Sequence, residues 1–262
     1  MTISGPRPAL GPALATLRDQ ISRLEGHAIR RRAVLPFGVD EIDRHLPGGG
    51  LVCGALHEVS GGNSDAVHAA AAGQFSAGIV ARMRGRVLWI VTGQDLFAPA
   101  LRQAGLSGRR LICAQAGSDA DVLACFEEGL RYGGLGAVVG EVGRLSMMAS
   151  RRLQLAAEKS GTMGIAIRRC RYPPEMADFG QPVASVTRWR VSVRPSAVLP
   201  VPGVGRSRWR LELMRVRSGE PAVFEVEACD DRGRLASCRL ALSAALADGP
   251  AQEATGFRSA RA

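Results

Sequence analysis

The sequence predicts an α/β chain, a three-layer fold whose mostly parallel sheet is covered by helices on both faces and extended at its C-terminal end by an antiparallel hairpin. Three observations carry this. A strand, a glycine-rich turn and a helix follow one another between Leu46 and His68. Four more strands then alternate with helices at short spacing, the pattern of crossover connections between parallel strands. After about Tyr172 strands follow each other with no helix between them.

Taken in order, residues 1–9 are rich in Pro and Gly. Leu10, Leu14, Leu17, Ile21 and Leu24 then recur at alternating steps of four and three, which sets them on one stripe of an amphipathic helix with Pro12 in its first turn. The stripe fits a helix packed on its own domain. It is also narrow enough for a two-helix seam with a partner or a second copy. Arg30, Arg31 and Arg32 form a basic link to the domain. We divide the chain into an N-terminal helix and linker (1–33), a main domain (34–247) and a disordered tail (248–262).

Within the main domain, Asn63 or Ser64 can cap a helix running to about Met83, whose alanines suit close packing on a sheet. Strands are expected at 86–92, 111–115, 135–142 and 163–168, and helices at 95–104, 119–132 and 146–160. Val122, Phe126 and Leu130 share a face of the middle helix. Beyond the turn marked by Pro173, Pro174 and Pro182, residues 187–193 and 206–213 alternate, with Trp189 and Trp209 on one face and arginines on the other. Ser218–Pro221 turns the chain into 222–229, where Glu225 and Glu227 can meet arginines across the hairpin.

The loop after the first sheet strand has the strand, loop, helix order of a phosphate-binding P-loop. Its chemistry differs. That loop needs G-x-x-x-x-G-K-[ST], because backbone N–H groups wrap the phosphates, Lys reaches the terminal phosphate and the hydroxyl holds Mg²⁺. Counting from Gly61 through Gly62, Asn63, Ser64 and Asp65, the Gly, Lys and Ser/Thr positions hold Ala66, Val67 and His68. The only lysine in the chain, Lys159, follows no glycine loop. A helix N-terminus still offers N–H groups to an anion, but Asp65 would repel phosphate. A metal-binding carboxylate is expected directly after the apolar run Val138–Val139; Gly140 stands there, and Glu141, one place on, should point to the other face of the sheet. We therefore expect no enzyme, no catalytic residue, no cofactor and no metal.

Other constellations are thin. His57 and His68 flank the loop without metal-ligand spacing, and Ser60, His57 and Asp65 lack a nucleophile elbow. The six cysteines never form C-x-x-C and read as reduced core residues of a cytoplasmic protein. No membrane-spanning run or export signal is expected. The net charge of +10 is concentrated in one region, with eleven arginines between Arg168 and Arg217 against Glu175, Asp178 and Glu212. Arg188, Arg190, Arg206, Arg208 and Arg210, beside the tryptophans, are candidates for contacting single-stranded DNA. The alternative is a solvated face over a tryptophan core in a chain that favours arginine throughout.

The segments Leu35–Val59, Gly85–Val91, Gly136–Val142 and Arg208–Ala228 resemble the RecA-like proteins, and within them the ImuA family of inducible mutagenesis proteins. The resemblance places Gly61 at the first P-loop glycine and Gln94 where RecA-like ATPases carry a water-activating glutamate. It implies an accessory role in the SOS response, in translesion synthesis with ImuB and an error-prone homologue of the polymerase III alpha subunit. RecA, an ImuB-like protein and a second copy of the chain are the partners it suggests. Two rival readings stay open: a DNA-dependent ATPase with an atypical P-loop, and a regulator of cell division resembling SulA.

Overall fold

The computed structural model describes residues 32–63, 66–169, 179–196, 203 and 205–238. The stripe Leu10–Leu24, the loop residues Ser64 and Asp65, Cys170, the prolines 173 and 174 and the C-terminal tail lie outside the described residues.

A small antiparallel pair opens the domain, β1 (Val34–Leu35) against β2 (Leu51–Val52), with the single-turn helix α1 (Asp40–Asp43) between them. Asp43 accepts from the backbone N–H groups of Phe37 at 2.7 Å and Gly38 at 2.9 Å, which ties the turn to its own helix. The main chain then runs β3 (Leu56–Gly61), α2 (Ala66–Ala81), β4 (Val87–Val91), α3 (Ala98–Gln103), β5 (Leu111–Gln115), α4 (Asp119–Tyr132), β6 (Ala137–Val142), α5 (Met147–Ser160) and β7 (Met163–Arg168). The later strands are β8 (Thr187–Arg194), β9 (Arg208–Val216), β10 (Ala222–Glu227) and β11 (Ala236–Ser237).

Nine strands form one sheet in the order β11-β10-β9-β8-β3-β7-β6-β4-β5. From β8 to β5 every pairing is parallel, and from β8 to β11 every pairing is antiparallel. β8 is thus the junction between the two halves of the sheet. The three layers follow from the core. On one face Phe75 and Ile79 of α2 and Leu101 of α3 pack with Trp89, Val139, Trp189 and Trp209. On the other, Val122, Phe126 and Leu130 of α4 and Leu153 of α5 pack with Ile90, Val138 and Ala166.

Local chemistry explains the element ends. Ser118 caps α4 by accepting from the N–H of Asp121 at 3.3 Å, and Ser146 caps α5 by accepting from Ala149 at 3.2 Å. Gly133 (φ 70°) and Gly161 (φ 77°) close the same helices in the left-handed conformation that side-chain-bearing residues avoid. α3 is shorter than expected and starts at Ala98, because Pro99 lacks an N–H and is tolerated only in a first turn.

Cysteine placement corrects one expectation. Cys113 and Cys125 are exposed, while Cys53, Cys229 and Cys238 are half-buried. The reason is position: Cys113 lies on β5, the edge strand, and Cys125 on the outward face of α4. The described residues contain no cluster of three or more His, Cys, Asp or Glu able to hold a metal, and no helix long and apolar enough to cross a membrane.

Candidate functional site

The glycine-rich turn leaves the sheet at the end of β3, beside the junction strand β8. A Cβ on Gly61 would lie 2.8 Å from the carbonyl carbon of His68, so only glycine lets the strand end touch the first turn of α2. The N–H of Gly62 donates to the carbonyl of Val191 at 2.8 Å, and a Cβ there would strike Ser192 Oγ. The entry of the loop is therefore bonded to β8. Val67, at the lysine position, is 60% exposed. Ala66 beside it is also exposed and His68 is half-buried.

Glu141 takes the face that strand alternation predicts. It does point away from the face used by Gly140, whose missing side chain makes room for Phe126 of α4. That opposite face is the one covered by α2 and α3, the side of the glycine-rich loop's own helix. There Glu141 Oε1 accepts from Trp89 Nε1 at 2.7 Å, and Oε2 faces Arg169 Nε at 3.3 Å. Arg169 also pairs with Asp95. One guanidinium, just past the end of β7, thus bridges two carboxylates delivered by β4 and β6. These three residues close one end of a groove of about 300 Å³, whose walls are Ala66, Ala69 and Gly73 of α2 and Phe97 and Ala100 near α3. Gln94 makes a long contact with Gln115, 3.4 Å from Nε2 to Oε1, on the exposed rim.

His57 is structural. It is fully buried, with Nε2 donating to the carbonyl of Val52 at 3.0 Å. Nδ1 then accepts from Thr187 Oγ1 at 2.8 Å, and Thr187 accepts in turn from Trp189 Nε1 at 2.9 Å. Burial pulls its pKa down to about 4, so the ring is neutral.

No family model matches the chain. It is 39% identical over 203 residues to Protein ImuA of Caulobacter vibrioides, in two strains, across 74% of this chain and 83% of the relative. The chain belongs to the ImuA family. Among solved structures, SulA from Pseudomonas aeruginosa is 27% identical and matches 43% of this ImuA-family chain and 96% of its own, with a TM-score of 0.37. The RadB recombinase is 18% identical and matches 78% of this chain and 99% of its own, with a TM-score of 0.48. The strand order given above, rather than either overlap, defines the architecture of this family member.

The arginines expected to form one row in this ImuA-family chain divide into two groups. Arg188 is buried: its Nε is 2.6 Å from Glu58 Oε2, its NH2 donates to the carbonyl of Gln181 at 2.6 Å, and its guanidinium lies over Phe179. Arg190 stacks on the same ring at 5.8 Å. Arg206, Arg208 and Arg210 are outward and pair with Glu227 at 2.9 Å, Glu225 at 3.3 Å and Glu212 at 3.4 Å. The expected cross-hairpin pairing of Glu225 and Glu227 with arginines holds. Trp189 and Trp209 are core residues. A buried triad went unrecognised in the sequence: Glu58 also holds Arg168 at 2.8 Å, both side chains fully buried. Its signal was Glu58 itself, a charge inside an apolar strand, which needs a partner wherever that strand is covered on both faces.

Proposed function

We propose that this chain is a non-catalytic accessory protein of SOS-induced mutagenesis, a RecA-like fold kept for its surfaces. Membership of the ImuA family supports the process. The observation that carries the non-catalytic part is Arg169 between Asp95 and Glu141. An internal cation occupies two carboxylates on the α2 side of the sheet, groups that a magnesium nucleotide would otherwise recruit. Val67 offers no charge for a terminal phosphate, and His68 no aliphatic hydroxyl for the metal.

On this reading the protein works through contacts, with an ImuB-like protein, RecA or a second copy as partners and an error-prone polymerase III alpha homologue in the same assembly. The outward arginines Arg206, Arg208 and Arg210 are the candidate contact with single-stranded DNA. Arg188, being buried, drops out of that surface. Because the outward three already have acidic partners, DNA would have to displace Glu225 and Glu227, and binding should be weak and steeply salt-dependent.

One observation favours the rival ATPase. Glu141 stands on the same face as α2, where a metal ligand would be useful. Calorimetric titration with ATP and Mg²⁺, alongside single-stranded DNA binding at two salt concentrations, separates the readings. Silence toward ATP is expected for wild type; micromolar ATP affinity would overturn the non-catalytic reading. Pull-down of an ImuB-like partner tests the adaptor role, and a chain that captures none of the proposed partners removes it.

A further inference from the structure

The outer face of α4 and α5 carries an apolar groove that the described residues leave uncovered. Two cavities of about 610 and 220 Å³ lie along it and share Glu127 and Arg152. Three of the large apolar side chains most exposed in the described structure belong to these two helices: Tyr132 (75%), Met148 (75%) and Leu155 (64%). The floor is built. Glu127 is buried between the helices and held by both Arg131 and Arg152. Of the three exposed apolar side chains, Leu155 lines the larger cavity with Ala156, and Leu123, Ala124 and Ala149 line the smaller, so apolar side chains run along the seam between the helices. Singly exposed apolar residues need no explanation, but a run of them along a groove marks a docking surface.

What covers it is indicated by where the described chain begins. Arg32 pairs with Glu158 at 3.2 Å on the last turn of α5. Lys159 and Ser160, the next two residues of that turn, line the larger cavity. Arg32 and Glu158 themselves line a separate small cavity with Cys53 and Gly54, so the described chain starts beside the last turn of α5, within reach of the end of the groove. Its stripe, Leu10 to Leu24, spans 15 residues or roughly 22 Å as a helix, and α5 has 14 residues. The seven residues 25–31 reach roughly 23 Å when extended, enough to pass around the end of α5. A tether this short sets an effective concentration on the order of millimolar, far above that of a second copy in dilute solution.

We infer that the α4–α5 groove is the docking site of the chain's own N-terminal helix, with Leu10, Leu14, Leu17, Ile21 and Leu24 seated on Leu155 and its neighbours. On this proposal the segment would lie parallel to α5, with Leu24 and Glu25 beside Lys159 and Leu10 toward Met148. This goes beyond the adaptor reading and does not depend on it. It implies that any partner using the stripe must first displace it from the groove.

The test uses the full chain and its single lysine. Carbodiimide coupling, read by mass spectrometry on a mixture of heavy- and light-isotope protein, should link Lys159 to Glu25 or Asp19 within one chain. Amide exchange should show protection over 13–24 in wild type and loss of that protection in Leu155→Glu, an exposed substitution that leaves circular dichroism of the domain unchanged. Leu17→Glu with Ile21→Glu should abolish both the link and the protection. Heavy–light links would assign the groove to a second copy and overturn the proposal. So would unprotected amides in wild type, protection that survives Leu155→Glu, or no link from Lys159 to either carboxylate.

Discussion

Two groups of arginine and glutamate in this protein use the same side chains to different ends. At the centre of the sheet, Glu58 holds Arg168 and Arg188 with all three side chains buried or nearly so. On the antiparallel extension, Arg206 and Arg208 meet Glu227 and Glu225 with both partners in solvent. In the interior, each charge has lost its hydration and depends on its partner, so removing one member is costly even where the pair as a whole contributes little. Outside, water replaces whatever is removed, and the pair chiefly sets how much positive charge the surface shows.

The largest expected effect is on the interior. Glu58→Ala leaves two guanidiniums buried without a counter-charge and should cost about 3–5 kcal/mol in urea unfolding; a loss below about 1 kcal/mol would mean that water reaches the triad. Next comes His57, which lies on the same strand. Its folded pKa of about 4 is below the unfolded value of 6.5, so the unfolded chain binds the proton first. Its contribution is complete above about pH 6.5 and is lost as pH falls toward 4, by about 3 kcal/mol in all. The check is a urea midpoint series from pH 7 to 4.5, in which His57→Gln should flatten the slope.

Smaller again is Glu141→Gln, in a site between the two extremes. It keeps a hydrogen-bond acceptor for Trp89 Nε1 but weakens the pairing with Arg169, and should cost about 1–2 kcal/mol. The smallest effect on stability belongs to Glu225→Gln with Glu227→Gln, within about 1 kcal/mol per pair. This double variant sharpens the comparison through function. If the outward arginines contact DNA, freeing Arg206 and Arg208 should strengthen single-stranded DNA binding at low salt and steepen its salt dependence. An unchanged salt slope would leave the ladder as a solvated face.

The layered architecture was legible in the sequence because alternation is local. α4 occupies 119–132 and β7 occupies 163–168, as periodicity and flanking cap residues predict. The pairing of Glu225 and Glu227 with arginines was legible too, since a short turn brings facing rows of opposite charge together. The phase of Glu141, opposite Gly140, was legible as well, because alternation along a strand is local. What was not legible is which helices cover that face and that Arg169, from the end of the neighbouring strand, meets Glu141 there.

By itself, then, the sequence determined the order of strands and helices, the residues standing in the phosphate loop and the amphipathic stripe ahead of the domain. Each depends on spacing within a few residues, which propensity and periodicity report directly. Only the tertiary structure decided that Arg169 reaches Asp95, 74 residues away in the chain, that Arg188 leaves the surface row for Glu58, and that α4 and α5 form a groove which the described residues leave uncovered. Those are contacts between distant segments. They depend on which strands are neighbours and in what register, and no local pattern encodes that choice.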